Sequence, residues 1–171
     1  MIKKLVEGND EFVNKIYGDA KLNGLIKDLS TNGQHPYALV ITCSDSRVIP
    51  ELIFNKTFGE LFVIRTAGNV INDGELATIE YAIEHLKIKE IIVLGHTYCG
   101  AVHAAVHKES GNYINKILDK IKTNIANETD EFKATKINAT KVAAFIKEMF
   151  PNYDGVIIPA IYDLKTNKVE Y

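Results

Sequence analysis

Apolar positions along the chain alternate between two rhythms. Unbroken runs, such as Ala38-Leu39-Val40-Ile41, suit strands covered on both faces of a parallel sheet. They predict strands at Tyr37 to Thr42, Leu61 to Arg65, Glu90 to Leu94 and Val156 to Asp163. Between them the spacing is helical. Asn72 or Asp73 caps a predicted helix running to about Leu86, and Gly100 to His107, Asn112 to Asn124 and Glu131 to Phe150 follow. Val142, Phe145, Ile146 and Met149 give the last of these an apolar stripe suited to core packing. Ahead of the first strand, Leu5, Val6, Phe12, Val13, Ile16 and Tyr17 form a helix-like pattern interrupted at Gly8-Asn9-Asp10. A short helix is predicted over Leu22 to Leu29, stopped by Ser30-Thr31-Asn32-Gly33. At the other end, Lys165-Thr166-Asn167-Lys168 is a turn into Val169-Glu170-Tyr171.

Alternating strands and helices predict an α/β fold with a central, mainly parallel sheet flanked by helices. The expected organisation is one domain over residues 1–171, with a helical arm over about 1–30 and no internal repeat. In such sheets ligands bind beyond the carboxyl ends of the strands, at the point where strand order reverses. Cys43, Arg65 and His96 all fall at such ends.

A composition of 46% hydrophobic and 25% charged residues is that of an ordinary globular protein. The net charge of −2 argues against a nucleic-acid partner, which calls for a basic footprint. No stretch approaches the ~20 apolar residues of a membrane span, and Met1 to Glu7 lacks the apolar run of an export signal. A cytoplasmic protein is expected, with both cysteines held as free thiols by a reducing compartment.

Cys43-Ser44-Asp45-Ser46-Arg47 places a thiol, a carboxylate and a guanidinium within five residues, and Gly95-His96-Thr97-Tyr98-Cys99-Gly100 adds an imidazole and the second thiol. Catalytic zinc takes three protein ligands and leaves a fourth position open, and Cys43, His96 and Cys99 make such a set. The competing account is that both cysteines are small buried hydrophobes. Asp45 can pair with Arg47 through two parallel hydrogen bonds or ligate the metal as its fourth ligand. His103 and His107, four apart, share a helix face and can bind a metal, although ordinary helical histidines are the simpler account. His35 and His85 read as structural or solvated.

These motifs resemble the β-class carbonic anhydrases. Cys-Ser-Asp-Ser-Arg at 43–47, Pro50-Glu51, Glu60-Leu61-Phe62-Val63-Ile64-Arg65 with Ala67-Gly68-Asn69, Ile79-Glu80-Tyr81-Ala82 and Gly-His-Thr-x-Cys-Gly at 95–100 occur in the family's order and spacing. The likeness runs from about Leu5 to Ala160-Ile161-Tyr162-Asp163. It implies one Zn2+ per subunit on Cys43, His96 and Cys99, and hydration of CO2 to bicarbonate and a proton by zinc-bound hydroxide. Asp45, anchored by Arg47, would orient that hydroxide. Gln34 matches an amide that donates to substrate oxygen, Phe62 and Tyr81 match aromatic wall positions, and Gly100 matches a backbone donor beside the metal. Some of these groups come from a neighbouring subunit in the family, and the N-terminal helices lie across it, so a homodimer or homotetramer is implied. Two thiolates make the ion a weaker Lewis acid than three histidines do, so activity should rise with pH.

Three positions depart from the common pattern. Tyr98 replaces a frequent Asp, and Thr66 stands where Asn is common. Val40 occupies the place of a Trp that serves a regulatory bicarbonate site in one subset, so that mode of inhibition is not expected. Two other readings keep the zinc: hydrolysis of COS or CS2, and a non-catalytic, zinc-stabilised oligomer whose site Asp45 closes. A nucleotide-binding domain is disfavoured, because no glycine-rich phosphate loop follows any strand.

Overall fold

The computed structural model describes residues 2–171, which form two compact units, residues up to His35 and Pro36–Tyr171. The first is a pair of helices, α1 (Ile2–Gly18) and α2 (Ala20–Asn32). α1 runs without a break through Gly8-Asn9-Asp10, where the sequence predicts an interruption. Glycine costs a helix only about 1 kcal/mol relative to alanine, too little to stop a helix that continues into Phe12, Val13 and the buried Ile16. Asp19 ends α1 and starts α2, its carboxylate accepting from the Lys21 and Leu22 N–H groups.

The second unit is built on a five-stranded sheet in the order β2-β1-β3-β4-β5. Its strands are β1 (Ala38–Thr42), β2 (Leu61–Arg65), β3 (Glu90–His96), β4 (Val156–Asp163) and β5 (Lys168–Glu170). The first four are parallel, and β5 runs antiparallel along the outer edge of β4. This is the mainly parallel α/β sheet expected. Every residue of β1 is buried, as its unbroken apolar run requires. Helices α3 (Pro50–Ile53), α4 (Asp73–Glu84), α5 (Gly100–Val106), α6 (Asn115–Ile125) and α7 (Glu131–Met149) connect and cover the strands. The short α3 escapes the periodicity analysis, although Pro50 at its first position and Glu51 in its first turn are start signals. α4 begins after Asn72, whose N–H donates to Glu75 Oε2 at 2.8 Å. No helix among the described residues is long and apolar enough to cross a membrane.

The core divides around the sheet. Leu39, Ile41, Ile79, Ile91, Val93 and Ile146 fill one cluster. A second cluster gathers Cys43, Cys99, Val102, Leu118 and Ile121 beneath α5 and α6. The chain leaves β1 to one side to form β2, then returns to the other side to form β3. Strand order therefore reverses at β1, and the crevice between the carboxyl ends of β1 and β3 is the switch point.

Candidate metal centre

Two strands and one helix deliver the side chains at this crevice. Cys43 directly follows β1, His96 is the last residue of β3, and Cys99 is the N-cap of α5. β3 extends two residues beyond the predicted Leu94, pairing Gly95 with Ile161 and His96 with Tyr162. Gly95 is required there: a Cβ would stand 2.9 Å from Ile161 Cδ1 and 3.1 Å from Thr135 Cγ2. The Thr42 hydroxyl donates to the Leu94 carbonyl at 2.8 Å, tying β1 to β3 beside the site.

One ligand atom from each of Cys43, His96 and Cys99 lies within 4.8 Å of the others, and all three residues are buried. The two sulfurs are 4.0 Å apart and unbonded. Two sulfurs ~2.3 Å from a tetrahedral ion would stand roughly 3.8 Å apart, so the spacing fits zinc. The imidazole supplies the decisive test. His96 Nδ1 lies 2.9 Å from the Thr97 carbonyl, an oxygen that only accepts, so Nδ1 carries the proton and Nε2 the lone pair. Nε2 is buried and has no hydrogen-bond partner among the described residues. A buried acceptor left unpaired costs on the order of 1–3 kcal/mol, and a cation at this point would satisfy it. The thiol chemistry agrees. The contact with the Cys99 thiol holds Cys43 well below the usual thiol range, against the effect of burial. The same contact and burial push Cys99 up. A dication at this point would bind the sulfurs as thiolates and displace their protons.

Asp45 sits beside the cluster and is occupied by Arg47. Its Oδ1 accepts from the Arg47 backbone N–H and Nε, both at 2.9 Å, and its Oδ2 accepts from Nη2 at 2.7 Å. These bonds hold the Asp45 carboxyl far below the ordinary carboxylate range. Oδ2 is 3.9 Å from His96 Nε2, beyond hydrogen-bond reach. Arg47 Nη2 also donates to the Tyr98 carbonyl at 3.2 Å, and Tyr98 adopts a positive φ of 57°. Arg65 braces the same loop from β2, with Nε donating to the Cys43 carbonyl at 3.2 Å and Nη2 to the Asp45 carbonyl at 2.7 Å.

A supporting chain that the sequence reading missed runs behind Cys43. The Gly68 N–H donates to Cys43 Sγ at 3.3 Å, and Asn138 Nδ2 donates to the Gly68 carbonyl at 2.9 Å. Asn124 Nδ2 in turn donates to Asn138 Oδ1 at 2.8 Å. Gly68 has a φ of 64°, and a Cβ there would meet Ile121 Cδ1 at 2.7 Å. Asn138 could have been found in the sequence: it is a polar residue on the buried face of α7, between Ala134 and Val142.

The remaining residues singled out in the sequence are not all brought together. Gly100 opens α5 next to Cys99. Phe62 and Tyr81 face each other, with ring centroids 6.1 Å apart, and Phe62 packs on the core cluster of Leu39 and Ile79. Phe62 is in register with Leu39, whereas Arg65 is in register with Thr42, next to Cys43. Phe62 is therefore about 10 Å back along β2 from the crevice of its own chain, with the Tyr81 ring beside it. Gln34 is exposed and follows α2 in the first unit.

Comparison with known proteins agrees with this geometry. The family model described as carbonic anhydrase matches residues 38–153. The carbonic anhydrase of Mycolicibacterium smegmatis is 38% identical over 122 residues, 64% of this chain and 59% of that protein. Carbonic anhydrase 2 of Mycobacterium tuberculosis is 34% identical over 150 residues, 81% of this chain and 72% of that one. The crystal structure of the β-carbonic anhydrase CafA of Aspergillus fumigatus superposes with a TM-score of 0.85 at 24% identity, covering 99% of this chain and 89% of that one. With its parallel sheet, its Cys-His-Cys cluster and this similarity, the chain belongs to the β-class carbonic anhydrase family of enzymes.

Proposed function

We propose that this chain catalyses the reversible hydration of CO2 to bicarbonate, with Zn2+ held by Cys43, His96 and Cys99. The observation that carries the proposal is the buried His96 Nε2, unpartnered among the described residues, clustered with two free thiols, with Asp45 and Arg47 at the margin. When bound, zinc supplies the Lewis acidity that turns water into a nucleophile near neutral pH. Asp45 accepts a hydrogen bond from the attacking water and aims its lone pair at the carbon of CO2. Arg47 keeps Asp45 ionised and fixes its direction, while the Tyr98 carbonyl and the bonds from Arg65 hold the loop that presents both. The proton released passes to buffer. Support for an accessible fourth position, rather than one closed by Asp45, is that both Asp45 oxygens are engaged by Arg47.

Phe62 and Tyr81 act as the apolar wall of a site in a neighbouring copy, and Gln34 and Gly100 as donors to substrate oxygen. A homodimer or homotetramer in the cytoplasm is the assembly this requires. The test is stopped-flow CO2 hydration by the zinc-loaded protein from about pH 7 to 9, beside a chelator-stripped control. Zinc-dependent turnover that rises with pH is expected. No turnover anywhere in that range overturns the reading and turns attention to COS or CS2.

A further inference from the structure

We propose that His103, His107 and Glu131 form a second metal site, on the outer face of α5, for a divalent transition-metal ion of the Zn2+ type. The sequence places His103 and His107 one helical turn apart. The structure adds a carboxylate from another helix: Glu131, the first residue of α7, reaches the pair from 28 positions along the chain. One ligand atom from each of the three lies within 4.8 Å of the others.

Both imidazoles have one ring nitrogen committed to a hydrogen bond, which leaves the other for an ion. His107 Nδ1 is 2.9 Å from the His103 carbonyl, which only accepts, so the His107 Nε2 carries a lone pair. His103 Nδ1 lies 2.7 Å from Glu131 Oε1, and the same oxygen is 3.9 Å from His107 Nδ1. A carboxylate that accepts from one ring nitrogen fixes the tautomer and raises the basicity of the other, the usual arrangement behind a metal-bound histidine. The rings are 4.1 Å apart between centroids. Glu131 is itself held, since its helix is capped by Asp130 through the Lys133 N–H at 2.8 Å. The three side chains are roughly half exposed, so an ion can enter from solvent and keep water in its remaining positions. Two imidazoles with one carboxylate nearby select zinc, copper or nickel over magnesium and calcium, which prefer all-oxygen sets. The bound ion would be anchored to α7 through the His103–Glu131 hydrogen bond, steadying the helix that begins beside Cys99.

The experiment compares zinc uptake by calorimetric titration, and the thermal midpoint with and without added ZnCl2, in the wild-type protein and in H103A/H107A. The first equivalent of zinc is left in place in both. Because the difference between the proteins is what counts, the result is independent of what the cysteine cluster holds. Alanine favours helix, so the exposed replacements keep α5 intact, and circular dichroism checks it; H107N serves as a milder second variant. Wild type is expected to bind one more zinc ion per chain than H103A/H107A and to show the larger rise in midpoint. E131Q is expected to bind that ion about tenfold more weakly. Equal uptake by wild type and the double variant overturns the site, as does a wild-type titration with MgCl2 matching that with ZnCl2. Wild-type affinity in E131Q removes Glu131 from it.

Discussion

At the residue scale, the division of labour around Asp45 follows from which of its atoms are already committed. Three donors from Arg47 converge on its carboxylate, and Arg47 is in turn attached to the Tyr98 carbonyl. Asp45→Asn keeps the volume but presents an amide N–H₂ where one oxygen now accepts from Arg47, so it loses both the charge and part of the clamp. CO2 hydration is expected to fall by at least about 100-fold while zinc stays bound, read by stopped flow together with metal analysis of the same sample. Gly68 is the other sensitive point. Gly68→Ala forces a Cβ into the left-handed region, at a cost of roughly 1–2 kcal/mol, and brings it against the movable tip of Ile121. Urea unfolding should show a loss of about 1–3 kcal/mol. The Cys43-His96-Cys99 cluster and the Asp45-Arg47 pair could be read from the sequence because such combinations are rare. The need for a glycine at 68 could not, because it arises from Ile121, 53 positions away, whose contact exists only in the folded chain.

At the element scale, unbroken apolar runs announce the strands, and β2 and β4 each close one charged residue past the run, at Arg65 and Asp163. Departures occur where tertiary pairing outweighs the local pattern. β3 continues through Gly95 to His96 because β4 supplies partners there, and a glycine followed by a histidine gives no strand signal by itself. α1 continues through a locally poor tripeptide, and α3 is too short for a periodicity to develop. α7 shows how an element outside the site still governs it. Its buried face is apolar except for Thr135 and Asn138, and Asn138 links the Gly68 carbonyl to the Asn124 amide. Asn138→Leu keeps the branching and the number of heavy atoms but leaves both groups without their partner in a region only 1% exposed at that residue. We expect a stability loss of about 1–3 kcal/mol for the abandoned polar groups. Zinc should also dissociate faster, because Gly68 N–H no longer steadies Cys43. Chemical denaturation reads the first effect and the rate of zinc transfer to a chromogenic chelator the second; an unchanged rate would confine Asn138 to a packing role.

At the scale of the whole molecule, the separation of Phe62 and Tyr81 from the crevice of their own chain leads to a test of how sites are shared. Phe62 packs on the Leu39 and Ile79 cluster rather than the one around the cysteines, and Tyr81 beside it is 45% exposed although it is aromatic. If they wall the site of a second copy, each site depends on Asp45 from one chain and Phe62 from another. Asp45→Asn and Phe62→Ala proteins should then both be weak alone, yet complement each other after subunits are exchanged. In a two-fold dimer, half of randomly mixed pairs carry one of each variant, and each such pair contains a single intact site. The mixture should recover about a quarter of wild-type turnover, with light scattering reporting at least a dimer throughout. Activity that stays at the average of the two separate variants would show that Asp45 and Phe62 serve the same chain.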